Sequence, residues 1–197
     1  YHSTILYGDV NILNLIPTIK KHRINYNEIK ILFYSRIWCF LGSYKKGGIV
    51  NLEGYEAAYF KNQMAKVIYA MIDVILISNN KYVSSYYKKI EVFKEFFSAD
   101  YDSLNSYLSY ALENKFSPSS DKILVSEIRS ILSDLASEFF KVFSSGLSLA
   151  YNKEINGPEQ IVRAFKRDHR LLIKKWMFNL FKPSRKNEFN ELICRTY

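Results

Sequence analysis

The chain has 197 residues, a net charge of +9, 48% hydrophobic and 24% charged residues, and 16% aromatics. That apolar content offsets the entropy of ordering a chain of this length, so the composition excludes an intrinsically disordered polymer and fits one sizeable domain or two small ones. Seven Gly and four Pro in so long a chain mean few turns, hence long helices rather than many short strands.

In chain order, residues 1–20 read as a short extended N-terminal arm. A β-branched and aromatic run stops at Gly8-Asp9, and Pro17 ends a second brief apolar run. Residues 21–197 read as a helical bundle domain, with a sub-boundary at Ser117-Pro118-Ser119-Ser120. The first helix spans 25–41. Asn25 with Glu28 fits a capping box, Gly42 fits the stop, and Ile29, Phe33, Ile37 and Phe40 share one face. Four glycines make 42–54 the clearest loop. The second helix, 55–78, is apolar nearly all round in its C-terminal half apart from Asp73, which marks it as the central, most buried helix; Asn79-Asn80 ends it. A third helix starts at Ser84 or Ser85 and runs to Phe97, a fourth runs from Asp100 or Asp102 to Asn114, and a fifth covers 121–151. Pro158 stands at the first position of a sixth helix that ends before Pro183, where its missing N–H costs nothing, and a short last helix follows Ser184. The fold class expected is therefore all-α: an up-and-down bundle of six or seven helices.

No stretch approaches the roughly 20 apolar residues of a membrane span. The chain opens on Tyr1 rather than Met and is read as a fragment or processed form of a cytoplasmic protein. Cys39 and Cys194 form no CxxC or Cys/His cluster, and the three histidines make no HExxH, so neither a metal site nor a cofactor is expected.

The sixth helix carries the functional content. Val162, Phe165, His169, Leu172 and Trp176 recur at three-four spacing as the buried stripe. On another face Arg163, Arg167, Arg170 and Lys174 recur at the same spacing, with Lys166 and Lys175 beside them. Residues 158–197 hold ten Lys/Arg against four Asp/Glu, so +6 of the +9 lies here. A stripe of like charge opposes an isolated helix, and an anionic partner relieves it. Nucleic acid or nucleotide is the expected partner, read against the alternative of a solvated charged face.

Arg163 and His169 also form R-x5-H, which resembles the R-x4–6-H pattern of HEPN ribonucleases, themselves helical bundles. That resemblance implies metal-independent RNA cleavage by these two residues at a dimer cleft. Two features depart from the pattern: Ala164 stands where a polar residue often follows the Arg, and six residues span about 240° of a regular helix, so the two side chains diverge. A histidine on an apolar stripe is also read as a core residue.

Gly42-Ser43-Tyr44-Lys45-Lys46-Gly47 is similar to the glycine-serine loop of polymerase-β-like nucleotidyltransferases, but the Asp-x-Asp that should follow is replaced by Ile49-Val50-Asn51-Leu52-Glu53-Gly54. A catalytic site there is not supported. Residues 59–93 carry Lys66-Val67-Ile68-Tyr69-Ala70 and then Asn80-Lys81-Tyr82-Val83-Ser84-Ser85-Tyr86-Tyr87-Lys88-Lys89. They resemble the helical region C-terminal to the catalytic domain of bacterial and archaeal nucleotidyltransferase-domain proteins, a HEPN-like helical bundle. Ile5-Leu6-Tyr7-Gly8-Asp9 is similar to the last strand of that catalytic domain. The resemblance covers residues 5–97 and implies a non-catalytic accessory domain whose catalytic partner lies upstream, with Lys66 and Tyr82 facing the nucleotide. A snorkelling lysine and a core tyrosine are the alternatives for those two. Two rival functions stand beside this one: a HEPN-type ribonuclease using Arg163 and His169, and a protein–protein assembly module, including a homo-oligomer.

Overall fold

In a computed structural model, residues 24–41 and 49–168 are described. They form α1 (Asn27–Leu41), α2 (Gly54–Ser78), α3 (Tyr86–Phe96), α4 (Asp102–Ser106), α5 (Leu108–Phe116), α6 (Val125–Tyr151) and a helical stretch at 158–168, α7. No strand occurs among them, and one isolated antiparallel bridge joins Leu52 to Ile123. The protein is all-α. It divides into two compact units, Tyr1–Asn156 and Gly157–Tyr197. The sequence expectations for residues 1–23, the 42–48 loop and everything from His169 onward lie outside the described residues.

Within the first unit α2 is the hub, packing on α1, α3, α5 and α6. Its C-terminal half is enclosed on almost every side: Val67 through Ile72 and Val74 through Ile77 are all buried. An element that is apolar all round has no face to give to water, so neighbours must surround it. A second apolar centre lies between α1 and α6, where Phe33, Phe139 and Phe143 pack with centroid separations of 4.4–5.5 Å and Phe40 meets Phe139 edge-on at 5.1 Å. Gly146 lets α6 approach that centre closely, since a Cβ there would stand 2.5 Å from Val74 Cγ1 and 3.2 Å from Ile29 Cγ2.

The helix ends follow local chemistry. Asn25 Oδ1 accepts the Asn27 amide at 2.9 Å, and Ser85 caps α3 through the Lys88 amide. Beyond α2, Asn80 takes a left-handed φ of 56°, and Asn152 ends α6 at φ 47°.

Two expected helices are corrected by packing. The fourth is two pieces, because Tyr107 leaves helical geometry at φ −93°, ψ 2°. The bend lets α4 pack on α6 while α5 packs on α2, with Leu104 and Leu108 both buried. The fifth begins at Val125 rather than at residue 121. Ile123 exchanges both backbone hydrogen bonds with Leu52, and the Gly54 amide donates to Ser120 O, so this stretch is held extended. Asn51 Oδ1 then accepts the Val125 amide at 2.9 Å and caps α6 from a remote part of the chain.

Candidate functional site

The basic helix is described as far as residue 168. Phe165 is buried as expected, but its partner on the stripe is Ile161, one turn earlier on the same face, and not Val162, which is 50% exposed; Arg163, Lys166 and Arg167 are exposed. At about 100° per residue the three cations fall within a third of the helix circumference, opposite the buried pair. Arg163 Nη2 lies 3.4 Å from Glu159 Oε2 one turn earlier, with both side chains solvated. An ion pair so exposed is weak and is readily exchanged for a phosphate. The remaining basic residues expected on this face, Arg170, Lys174 and Lys175, lie outside the described residues. So does His169, the partner that the ribonuclease pattern requires for Arg163.

Lys66 and Tyr82 are both half-buried. Lys66 shares a face of α2 with Asp73, seven residues and about 10 Å further along the axis. Tyr82, in the turn after α2, lies against a different lysine: Lys89 Nζ sits 4.9 Å from its ring centroid and 5.2 Å from that of Tyr86. Tyr82 therefore belongs to the site of Lys89.

That lysine is the polar group that sequence reasoning missed. Lys89 of α3 is 4% exposed and its Nζ lies 2.7 Å from Asp73 Oδ1 in the middle of α2. Tyr69 stands beside them, its ring edge-on to Tyr86 at 4.8 Å. Burial pushes the Asp73 carboxyl up, and the positive charges of Lys89 and Arg36 only partly reverse this. For Lys89, burial alone would lower the pKa, but the Asp73 charge and the hydrogen bond to it, helped by Tyr82, raise it. Burial also pushes the Tyr69 phenol up to about 12. Asp73 was the visible signal, a lone carboxylate in the otherwise apolar C-terminal half of α2 that requires a cation. Which of the chain's many lysines supplies it depends on how α3 folds back. An enclosed pair of this kind joins α3 to α2 and does not offer itself to a ligand.

Among the described residues no group of three or more His, Cys, Asp or Glu side chains is arranged to hold a metal ion. No helix among them is long and apolar enough to cross a membrane. Cys39 is a buried thiol that donates to Gln63 Oε1 at 3.4 Å. Searches against protein-family models, curated proteins and solved structures found no match to this chain.

Proposed function

We propose that this chain is a helical accessory domain, non-catalytic by itself, of a nucleotidyltransferase-like protein, and that it binds nucleic acid or nucleotide through the basic face of α7. The observation that carries this reading is the division of α7, with Ile161 and Phe165 buried and Arg163, Lys166 and Arg167 turned to solvent. A row of guanidinium and ammonium groups on one helix face suits a line of phosphates.

The test is fluorescence-anisotropy titration of the full chain with a labelled single-stranded oligonucleotide over a range of salt. Contacts to phosphates release counterions, so affinity falls steeply with salt, by a log–log slope of about 0.7 per contact for a single strand. The variant Arg163→Ala/Lys166→Ala/Arg167→Ala should reduce that slope by about 2 if all three residues contact phosphate. Binding that ignores salt, or a triple variant that binds like the parent, would refute the reading.

A further inference from the structure

The first unit contains a cleft of about 530 Å³ between α1, the extended 49–52 segment and the first turns of α2. That volume lies in the range of small-molecule sites, which combine apolar walls with a few polar groups. Three exposed rings stand at its mouth: Trp38 is 67% exposed, Tyr55 82% and Tyr59 55%. Tyr55 and Tyr59, one turn apart on α2, stack at a centroid separation of 6.1 Å with 28° between their planes. Aromatic surface gathered in water in this way marks a binding surface, and the ring faces suit another flat, apolar ring.

The inner end of the cleft carries hydrogen-bond donors. Cys39 Sγ donates to Gln63 Oε1 at 3.4 Å, which ties α1 to α2 at this level and leaves the Gln63 amide NH2 to donate in turn. Arg36, about one turn before Cys39 on α1, also lines the cleft, and its Nε is buried with no hydrogen-bond partner. Asp73, the carboxylate whose charge Arg36 lowers, is bonded at 2.7 Å by Lys89 instead. A half-buried guanidinium with unmet donors calls for an acceptor, and a carboxylate answers it best. The position of the acid follows from the rest of the lining. Glu56, the carboxylate among the described lining residues, stands seven positions before Gln63, about 10 Å along α2, so repulsion places an anionic head at the Gln63 end. Tyr59 is one turn from Gln63, about 6 Å, so a single small molecule can reach both the rings and the donors.

We propose that this cleft takes a planar aromatic carboxylic acid, its rings laid against Trp38, Tyr55 and Tyr59 and its carboxylate held by Arg36 and the Gln63 amide. The proposal goes beyond the basic-face reading and stands without it, because every group it uses lies in the first unit.

Isothermal titration calorimetry of the full chain with 2-naphthylacetate tests it, with 2-naphthylacetamide as the uncharged match and cyclohexylacetate as the acid without a flat ring. One saturable site is expected for the aryl acid, with the amide and the cyclohexyl acid each weaker by about tenfold or more. Arg36→Met should bring the acid down to the level of the amide, a loss of preference that unfolding, which removes both ligands, does not imitate. Trp38→Ala and Tyr55→Ala change exposed positions and should weaken acid and amide alike by several-fold, so they decide the case even where Arg36→Met does not fold. The proposal is overturned by an aryl acid that shows no saturable heat up to about 5 mM, binds no better than its amide, or keeps parental affinity in both ring variants. An acid preference that survives Arg36→Met overturns it as well. Cyclohexylacetate binding as tightly as 2-naphthylacetate would show an apolar hole without ring recognition and refute the stacking.

Discussion

Replacing Gly146 by alanine tests the closest helix approach in the first unit. On a helix surface this change stabilises, because alanine is favoured over glycine in a helix interior by about 1 kcal/mol. Here the new methyl would stand 2.5 Å from Val74 Cγ1, about 1 Å inside the distance at which two carbons attract. Ile29 blocks retreat on the other side, with Cγ2 and Cδ1 at 3.2 and 3.3 Å. Val74 and Ile29 are both buried, and a β-branched side chain in a helix has essentially one χ1 setting. The clash is therefore relieved by moving α6 away from α1 and α2, and overpacking of this kind costs typically about 1–3 kcal/mol. The expected net effect of Gly146→Ala is a loss of up to about 2 kcal/mol once the propensity gain is subtracted. Urea unfolding followed by circular dichroism measures it as a lower midpoint at unchanged slope. The decisive comparison is the same substitution in a Val74→Ala background. With the opposing methyls gone, Gly146→Ala should become neutral or stabilising, giving a coupling of about 1–3 kcal/mol between the two sites. If Gly146→Ala stabilises the parent protein, or costs the same in both backgrounds, the close approach is not what requires glycine at this position.

Two more outcomes follow from the buried ion pair and its neighbours. Lys89→Met strands the Asp73 carboxylate in an apolar setting and should cost about 3–5 kcal/mol, whereas Lys89→Met/Asp73→Leu should recover most of that; equal losses in the single and double variants, read from urea midpoints, would refute the pairing. The stability of the fold should also fall in alkali. Tyr69 and Tyr107 have phenols raised from 10.0 to about 12, both mainly by burial and Tyr107 also by its 2.8 Å hydrogen bond to Asp134, and Lys89 is raised above 10.5. A raised folded-state pKa stabilises fully below the ordinary value and is lost as pH climbs through the folded one, so the decline belongs between pH 10 and 12. Urea midpoints at pH 8 and pH 11 should differ in the parent and differ less in Tyr107→Phe; an equal drop in both would show that this phenol takes no part.

The order and kind of the elements were legible in the amino-acid sequence because they depend on residues within one or two helical turns. Apolar spacing located α1, α2, α3 and α6, and Asn25, Ser85 and Asn79-Asn80 marked ends that their own side chains or backbone preferences set. The all-round apolar character of 67–77 identified α2 as the central helix before any partner was known. The spacing of Phe165 against Arg163, Lys166 and Arg167 likewise announced a two-faced α7, although it assigned the buried stripe to Val162 where the structure buries Ile161. Contacts between segments distant in sequence were decided only by the tertiary structure. Asp73 shows that a cation is needed, but only the fold-back of α3 supplies Lys89. The start of α6 shifts to Val125 because Leu52 and Asn51 claim the preceding backbone, and α4 separates from α5 at Tyr107 because their apolar faces pack on different helices. Gly146 reads locally as a weakness in a helix and acquires its purpose only where Val74 and Ile29 converge on it. Arg36, Trp38, Tyr55 and Gln63 carry no common motif, and their meeting around one cleft arises from the pairing of α1 with the first turns of α2, a through-space relation that no spacing along the chain encodes.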